Sequence, residues 1–223
     1  MNKTVDIRRF YEEDALALED VIRKTWKYDA FCSSETAARL AHVYLYSCLA
    51  NQTFTAVAIV DGKPCGIHIQ KHRCPFSLKL QSLLAIVHLL ITREGREICS
   101  FYGKIRNVDQ VLLDGSGKTY GGELSFFVLD EAVRGLGIGK QLYAAALTYM
   151  RQENIQSFYL LYTDSSCNYG FYEHRGMQRR GEIEMVVKLA GQQAPMKFFL
   201  RSEERRVGKE CASMCRSRWS PYH

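Results

Sequence analysis

Residues 134–140 combine two cations with three closely spaced glycines and read Arg-Gly-Leu-Gly-Ile-Gly-Lys. An apolar segment rich in Phe and Val begins at Leu124, and apolar residues at helical spacing follow from Leu136. This pattern predicts a buried strand, a glycine turn and then a helix. The first amides of a helix lack intrahelical acceptors and carry partial positive charge. We therefore expect phosphate groups of a nucleotide-like ligand to bind at this turn.

Two common phosphate-binding patterns do not match this turn. A P-loop would need a glycine at the position of Arg134 and a Ser or Thr at that of Gln141. The dinucleotide pattern fails because its last glycine would fall on Lys140. The pattern that fits is Arg-x-x-Gly-x-Gly, which Arg134, Gly137 and Gly139 supply.

A second candidate motif lies at residues 168–177, which read Asn-Tyr-Gly-Phe-Tyr-Glu-His-Arg-Gly-Met. We predict a short helix here, stopped by Gly176. Predicted strands flank it at Ser157–Tyr162 and Gly181–Leu189. Strands and helices alternate in this half of the chain, so the sequence predicts an α/β fold with parallel neighbouring strands.

The first half of the chain contains the elements that must support these motifs. Its patterns predict strands at Thr4–Phe10, Thr53–Val60 and Cys65–Lys71, and helices at Glu12–Trp26 and from Ser33 to about Ala50. Residues 74–118 interrupt this order with two predicted helices, Phe76–Ile91 and about Arg93–Leu113. This insertion is either a hairpin that widens the core or a substrate lid or dimer surface, and the sequence favours neither.

Composition limits the class of protein. The 223 residues are 47% hydrophobic, which suits one domain with a sizeable core. The formal charge is +6, of which the last 23 residues carry half, so the remainder is too weak to indicate nucleic-acid binding. No segment has the length and apolarity of a signal peptide or membrane span. The eight cysteines lack metal-ligand spacing, so we expect reduced thiols, no metal and a cytoplasmic location.

The C-terminal residues 201–223 differ in character from the rest. Arg201-Ser-Glu-Glu resembles a translated sequencing adapter and follows abruptly on the apolar residues 196–200. We therefore predict that one domain covers residues 1–200 and that residues 201–223 are a non-native read-through or a disordered tail.

The glycine turn, the motif at residues 168–177 and the order of the elements resemble the GNAT superfamily of N-acyltransferases over roughly residues 4–190. The resemblance implies the GNAT fold: a mixed, twisted sheet splayed at strands 4 and 5, with helices on both faces. The predicted helical insertion would lie between strands 3 and 4. Acetyl-CoA would be the cosubstrate, and dimers are common in the family, so a homodimer is a further expectation.

The resemblance also assigns the residues that would bind acetyl-CoA. Backbone groups of Phe127, Val128 and Leu129 would contact the pantetheine arm, and the Val128 amide would stabilise the oxyanion. The pyrophosphate would bind amides of the turn, with added charge from Arg134 and Lys140. These amides belong to Gly135, Leu136, Gly137, Ile138, Gly139 and Lys140. Asn168 is a candidate contact to the pantetheine, although Ser165 stands where one branch of the family has Asn.

Acyl transfer to an amine also needs a base and an acid. By resemblance, Glu123 is the base and Tyr172 is the acid that protonates the leaving thiolate. His68 and His72 are alternative bases. Cys167 lies nearby, but the family mostly transfers the acyl group directly, which disfavours a covalent cysteine intermediate.

The expected function is therefore transfer of an acetyl group from acetyl-CoA to a primary amine of a small molecule or peptide. Two alternatives stay open on the sequence. One is an acyl-CoA sensor without catalysis, and the other is an acyltransferase with a longer acyl donor. The sequence does not identify the acceptor.

Overall fold

The computed structural model describes residues 4–50, 52–71, 83–84, 86–163, 169–189 and 192–204. The strands are β1 (Val5–Arg8), β2 (Gln52–Val60), β3 (Lys63–Lys71), β4 (Gly122–Leu129), β5 (Ser157–Thr163), β6 (Gln178–Leu189) and β7 (Gln192–Glu204). The helices are α1 (Ala15–Thr25), α2 (Ser34–Leu49), α3 (86–90), α4 (Arg93–Gly115), α5 (Ile138–Gln152) and α6 (Tyr169–Glu173).

The strands form one mixed sheet in the order β1-β2-β3-β4-β5-β7-β6 in the described part of the chain. β4 and β5 pair in parallel, whereas the pairs β1–β2, β2–β3, β3–β4, β5–β7 and β6–β7 are antiparallel. β4 and β5 share two paired positions, and β5 pairs with β7 over seven. The sheet is therefore splayed between β4 and β5, as predicted.

Strand β7 corrects two sequence predictions. It was not predicted, yet it lies between β5 and β6 and pairs with both. The boundary of the tail at Arg201 is also wrong, because residues 201–204 belong to β7. Arg201 and Ser202 are 5% and 0% exposed, so both residues are buried parts of the sheet. The predicted tail from residue 205 onward lies outside the described residues.

Helices cover both faces of the sheet. The buried faces of α1 and α2 pack with Val57, Ile67, Phe126 and Val128 of the central strands. On the opposite face, Ile138 and Leu142 of α5 pack with β2 and β3. Burial of these apolar side chains is the main stabilising contribution in such a layered fold.

The predicted insertion between β3 and β4 is helical where it is described. α4 confirms the predicted second helix, whereas half of the predicted Phe76–Ile91 helix lies outside the described residues. The insertion is fixed to the core, because Glu94 of α4 accepts hydrogen bonds from Ser33 N (2.9 Å) and Ser33 Oγ (2.8 Å) at the start of α2. Among the described helices, including α4 with its 23 residues, none is long and apolar enough to cross a membrane.

The first prediction concerns α5. Leu142 is 0% exposed, so Leu142→Ala should lower the free energy of unfolding by about 2–5 kcal/mol through lost burial and a cavity. Leu16 of α1 is 81% exposed, and Leu16→Ala should change it by less than about 0.5 kcal/mol. Urea denaturation measures both. Equal losses in the two variants would contradict this packing of α5.

Candidate active site

The opening between β4 and β5 begins at a β-bulge in β4. Ile69 of β3 pairs with Phe126 and its neighbour Gln70 pairs with Leu124, so Ser125 is the extra residue. A bulge bends its strand and increases the local twist. The two paired positions of β4 and β5 are Gly122 with Phe158 and Glu123 with Tyr159, immediately before the bulge. Beyond Glu123 the strands separate.

The register of β4 decides which backbone groups face this opening. Asp130 N donates to Cys65 O (2.7 Å), and a Cβ built on Gly66 would lie 2.7 Å from Val128 O. Backbone groups alternate in direction along a strand, so those of Val128 point to β3. Those of Phe127 and Leu129 point to the opening. The Val128 amide, which the sequence suggests as the oxyanion donor, therefore points to β3. The Phe127 amide points to the opening and becomes the candidate donor instead.

The glycine turn joins β4 to α5 and leaves several amides available. Gly135 and Gly137 have φ angles of 81° and 75°, a left-handed conformation that favours glycine. A Cβ built on either residue would contact nothing within 4 Å, so the outer side of the turn is open. Lys140 N and Gln141 N donate to Gly137 O at 3.1 and 3.2 Å. The amides of residues 135–139 have no acceptor among the described residues.

Gly139 has a different role in the turn. A Cβ built there would lie 3.4 Å from Phe171 Cε2 and 3.6 Å from Phe127 Cζ. The rings of Phe127 and Phe171, with centroids 5.4 Å apart, therefore pack closely beneath the start of α5. Arg134 and Lys140 are exposed beside the turn, and the Arg134 guanidinium approaches Leu129 O at 3.4 Å.

A cavity of about 190 Å³ lies in the splay. It reaches from the bulge on β4, at Ser125 and Phe126, to Tyr172 of α6. Ser125 Oγ is buried and has no hydrogen-bond partner among the described residues. The remaining wall comes largely from aromatic side chains of α2 and α4 and the residue after α1: Trp26, Tyr44, Phe101 and Tyr102.

Tyr172 is held firmly at this cavity. It is 5% exposed, and its ring lies 5.8 Å from that of Tyr162 on β5 and 5.3 Å from that of Phe171. Tyr172 therefore lies at the opening beside β4, and its role as the acid stays a prediction. Asn168 and Cys167, which precede α6, lie outside the described residues.

Glu123 lies at the closed end of the splay and on the face covered by α4. Its Oε2 accepts a hydrogen bond from Tyr159 OH (2.9 Å). A second carboxylate, Asp109 of α4, lines the cavity itself. Burial, and then the negative charge of Glu123, raise the pKa of Asp109 to about 6. Burial also raises the pKa of Tyr159, and the Glu123 charge adds to that shift.

Asp109 was missed by sequence reasoning, although a signal was present. The apolar side of α4 carries Ile98, Phe101, Ile105 and Leu112 at helical spacing. Asp109 falls on the same side, four residues after Ile105 and three before Leu112. A carboxylate within an apolar stripe indicates either a buried partner or a ligand site.

His68 is unsuited to the alternative role of base. It is 0% exposed, both ring nitrogens lack hydrogen-bond partners among the described residues, and burial lowers its pKa to about 3. Its ring packs edge-on against Phe127, 5.7 Å between centroids, and this pair faces α5. Glu123 faces α4 instead. The other alternative, His72, lies outside the described residues.

The described residues also contain no group of three His, Cys, Asp or Glu side chains that could hold a metal ion. The site thus consists of an open strand pair, a glycine turn at a helix N-terminus, a buried Tyr and two carboxylates.

Residues 20–177 match the model of the acetyltransferase (GNAT) family. This match covers more than half of the chain, and the chain therefore belongs to that family. No curated protein matches the sequence.

Solved structures of the family share the fold at low sequence identity. Ribosomal-protein-alanine N-acetyltransferase from Brucella melitensis is 14% identical with a TM-score of 0.52, covering 89% of this chain and 99% of its own. Ard1 from Thermoplasma volcanium is 13% identical with a TM-score of 0.52, covering 91% and 98%. PaiA N-acetyltransferase from Thermoplasma acidophilum, solved with coenzyme A, is 17% identical with a TM-score of 0.50, covering 90% and 99%.

The electrostatics of Asp109 give the second prediction. Because its pKa is raised to about 6, the folded chain holds the proton more tightly than the unfolded chain does. The contribution of Asp109 to the free energy of unfolding therefore falls as pH rises from about 4 to about 6. Asp109→Asn should thus be more stable than the unmodified protein at pH 7.5, and this difference should disappear near pH 4.

Urea denaturation at pH 4, 5.5 and 7.5 measures this effect. Asp114→Asn is the matched control, since Asp114 is exposed near the end of the same helix. The prediction is wrong if the two Asn variants show the same pH dependence.

Proposed function

We propose that this protein transfers an acetyl group from acetyl-CoA to a primary amine by direct attack. The observation that carries the proposal is the splay between β4 and β5, which contains a cavity that Tyr172 and Asp109 both line. Family membership supports acyl-CoA as the donor.

The features of the opening fit the parts of acetyl-CoA. The backbone groups of Phe127 and Leu129 that face the opening suit hydrogen bonds to the amides of a pantetheine arm. The arm would then pair with β4 as a neighbouring strand does. The unpaired amides of residues 135–139, at the positive end of α5, suit the pyrophosphate. Arg134 and Lys140 beside the turn add charge that favours an anion. Leu136 and Ile138 would take part through their backbone amides.

The chemistry follows from the groups around the cavity. Acetyl-CoA supplies the acetyl group as an activated thioester. The Phe127 amide would donate a hydrogen bond to the carbonyl oxygen as negative charge develops there. The amine nitrogen forms the new bond to the acetyl carbon, and the bond from carbon to sulfur breaks. Tyr172 would give its proton to the departing sulfur.

The proton lost by the amine needs an acceptor on the other side of the cavity. Glu123 would take this proton, directly or through a water molecule, at the closed end of the splay. Tyr159 OH orients its carboxylate by the hydrogen bond of 2.9 Å. A non-catalytic acyl-CoA sensor needs neither Tyr172 nor Glu123. A measurement of turnover, and not of CoA binding, therefore distinguishes the sensor from an enzyme.

Tyr172→Phe tests the role of the acid. Phe keeps the buried ring contacts, so the fold and CoA affinity should persist, while kcat should fall about 100-fold or more. Release of free CoA thiol measures turnover, and calorimetry measures CoA affinity. An unchanged kcat with a well-folded variant removes Tyr172 from this role. CoA binding without thiol release across a broad amine panel would favour the sensor.

Gly137→Ala tests the turn as the cosubstrate site. At φ 75° the added Cβ costs about 1–2 kcal/mol of stability, and a shifted turn should weaken CoA binding. Gly103→Ala in α4 is the control. Its Cβ meets nothing within 4 Å, and Ala favours a helix by about 0.5–1 kcal/mol, so its stability should rise. Calorimetry with CoA and thermal denaturation give both readouts. Equal CoA affinity in the two variants would place the pyrophosphate elsewhere.

A further inference from the structure

We propose that the acceptor is a small primary amine with a positive charge and an apolar body, without a carboxylate, and that Asp109 binds its ammonium group. This inference rests on the proposed acetyl transfer. It specifies the substrate class and gives the inserted helix α4 a function, neither of which follows from membership of the family.

Asp109 is positioned for this role by the way α4 is anchored. The start of α4 is fixed to α2 by the bonds from Ser33 to Glu94 (2.9 and 2.8 Å). About two turns further along α4, Tyr102 OH lies 3.2 Å from the OH of the fully buried Tyr28. These contacts hold α4 over the splay, so Asp109 lines the same cavity as Tyr172. An ammonium bound to Asp109 would thus lie in the cavity that receives the acetyl group. Before attack it would give one proton to Asp109, and the resulting neutral amine would lose its second proton to Glu123 as the amide forms.

The walls of the cavity fit an apolar body attached to this ammonium. The rings of Trp26 and Phe126 stack with centroids 5.6 Å apart, and Tyr44 lies 5.5 and 5.2 Å from them. Aromatic faces attract cations and also bury apolar groups favourably. The volume of about 190 Å³ is small beside the 300–1,000 Å³ of typical ligand pockets. This volume favours a compact amine over an aminoglycoside.

The charges around the cavity argue against an acceptor that carries its own carboxylate. Asp109 is the only charged side chain among the described residues that line the cavity, so no Lys or Arg side chain is present there to pair with a carboxylate. Arg201 donates to Tyr162 OH (2.6 Å) at the edge but is also paired with Glu173. An amino acid would place its carboxylate near Asp109 and Glu123 without a cation, and such unpaired, repelling charges are costly.

Within the described part of the chain, the titratable groups that interact with Asp109 from other elements are Glu123 of β4, Tyr159 of β5 and Tyr44 of α2. None of them is cationic, so an ammonium is the natural counter-ion for the two carboxylates. Because the pKa of Asp109 is about 6, we expect amine binding to weaken as pH falls through this value.

The first experiment compares acceptors of matched shape on the full chain. 2-Phenylethylamine and L-phenylalanine differ by one carboxylate, and spermidine and a lysine peptide represent larger cationic amines. We expect kcat/KM for 2-phenylethylamine to exceed that for phenylalanine by at least about 100-fold, with the larger amines weaker still. Equal or better use of phenylalanine, spermidine or the peptide would overturn the inference while leaving acetyl transfer intact.

The second experiment tests Asp109 by binding, without reliance on turnover. Calorimetry measures 2-phenylethylamine binding to the protein saturated with CoA, for Asp109→Asn and for the exposed control Asp114→Asn. Loss of a charge-assisted contact should weaken amine binding at least about tenfold in Asp109→Asn and leave CoA affinity unchanged. The control should bind both ligands normally.

The pH series completes the comparison. Amine affinity should fall between pH 7.5 and 5.5 in the unmodified protein and stay nearly constant in Asp109→Asn. Amine affinity that is equal in the two Asn variants overturns the role of Asp109. Absence of CoA binding in the unmodified protein would instead contradict the proposed function itself, so the two failures are distinguishable.

Discussion

The separation of β4 from β5 is the constraint on which the rest of the site depends. Two parallel strands that stayed paired would use the backbone groups that face each other and leave no space between them. The bulge at Ser125 turns β4 away after two paired positions, so the backbone groups of Phe127 and Leu129 face the opening instead of pairing with β5. β5 keeps its order because β7 pairs with it over seven positions on the other side.

The glycine turn and α5 add an anion site at the outer end of the same opening. Positive φ angles at Gly135 and Gly137 shape the turn, while Gly139 allows the rings of Phe127 and Phe171 to pack beneath it. The strand that presents backbone groups to the opening thus also supports the helix that provides free amides. The close packing of the Phe127 and Phe171 rings against Gly139 therefore links the side chains of β4 and α6 to the backbone at the start of α5.

The inserted helix α4 closes the acceptor side of the splay. The strands β4 and β5 and the start of α5 provide the opening and the turn, whereas the aromatic wall and Asp109 come partly from α4. Burying a carboxylate beside Glu123 is unfavourable for folding and raises the pKa of Asp109. Such an unfavourable arrangement is typical of a ligand site, since a core without that role would place an apolar residue there.

The sequence alone determined the α/β class, most element positions and the glycine turn, because residue spacing and turn chemistry act locally. It did not reveal β7, the buried positions after residue 200, the backbone direction of Val128 or the carboxylate on α4. Each of these depends on strand register or on contacts between residues far apart in sequence, such as Asp109 with Glu123. Only the tertiary structure fixes such contacts, since many pairings satisfy the same local pattern.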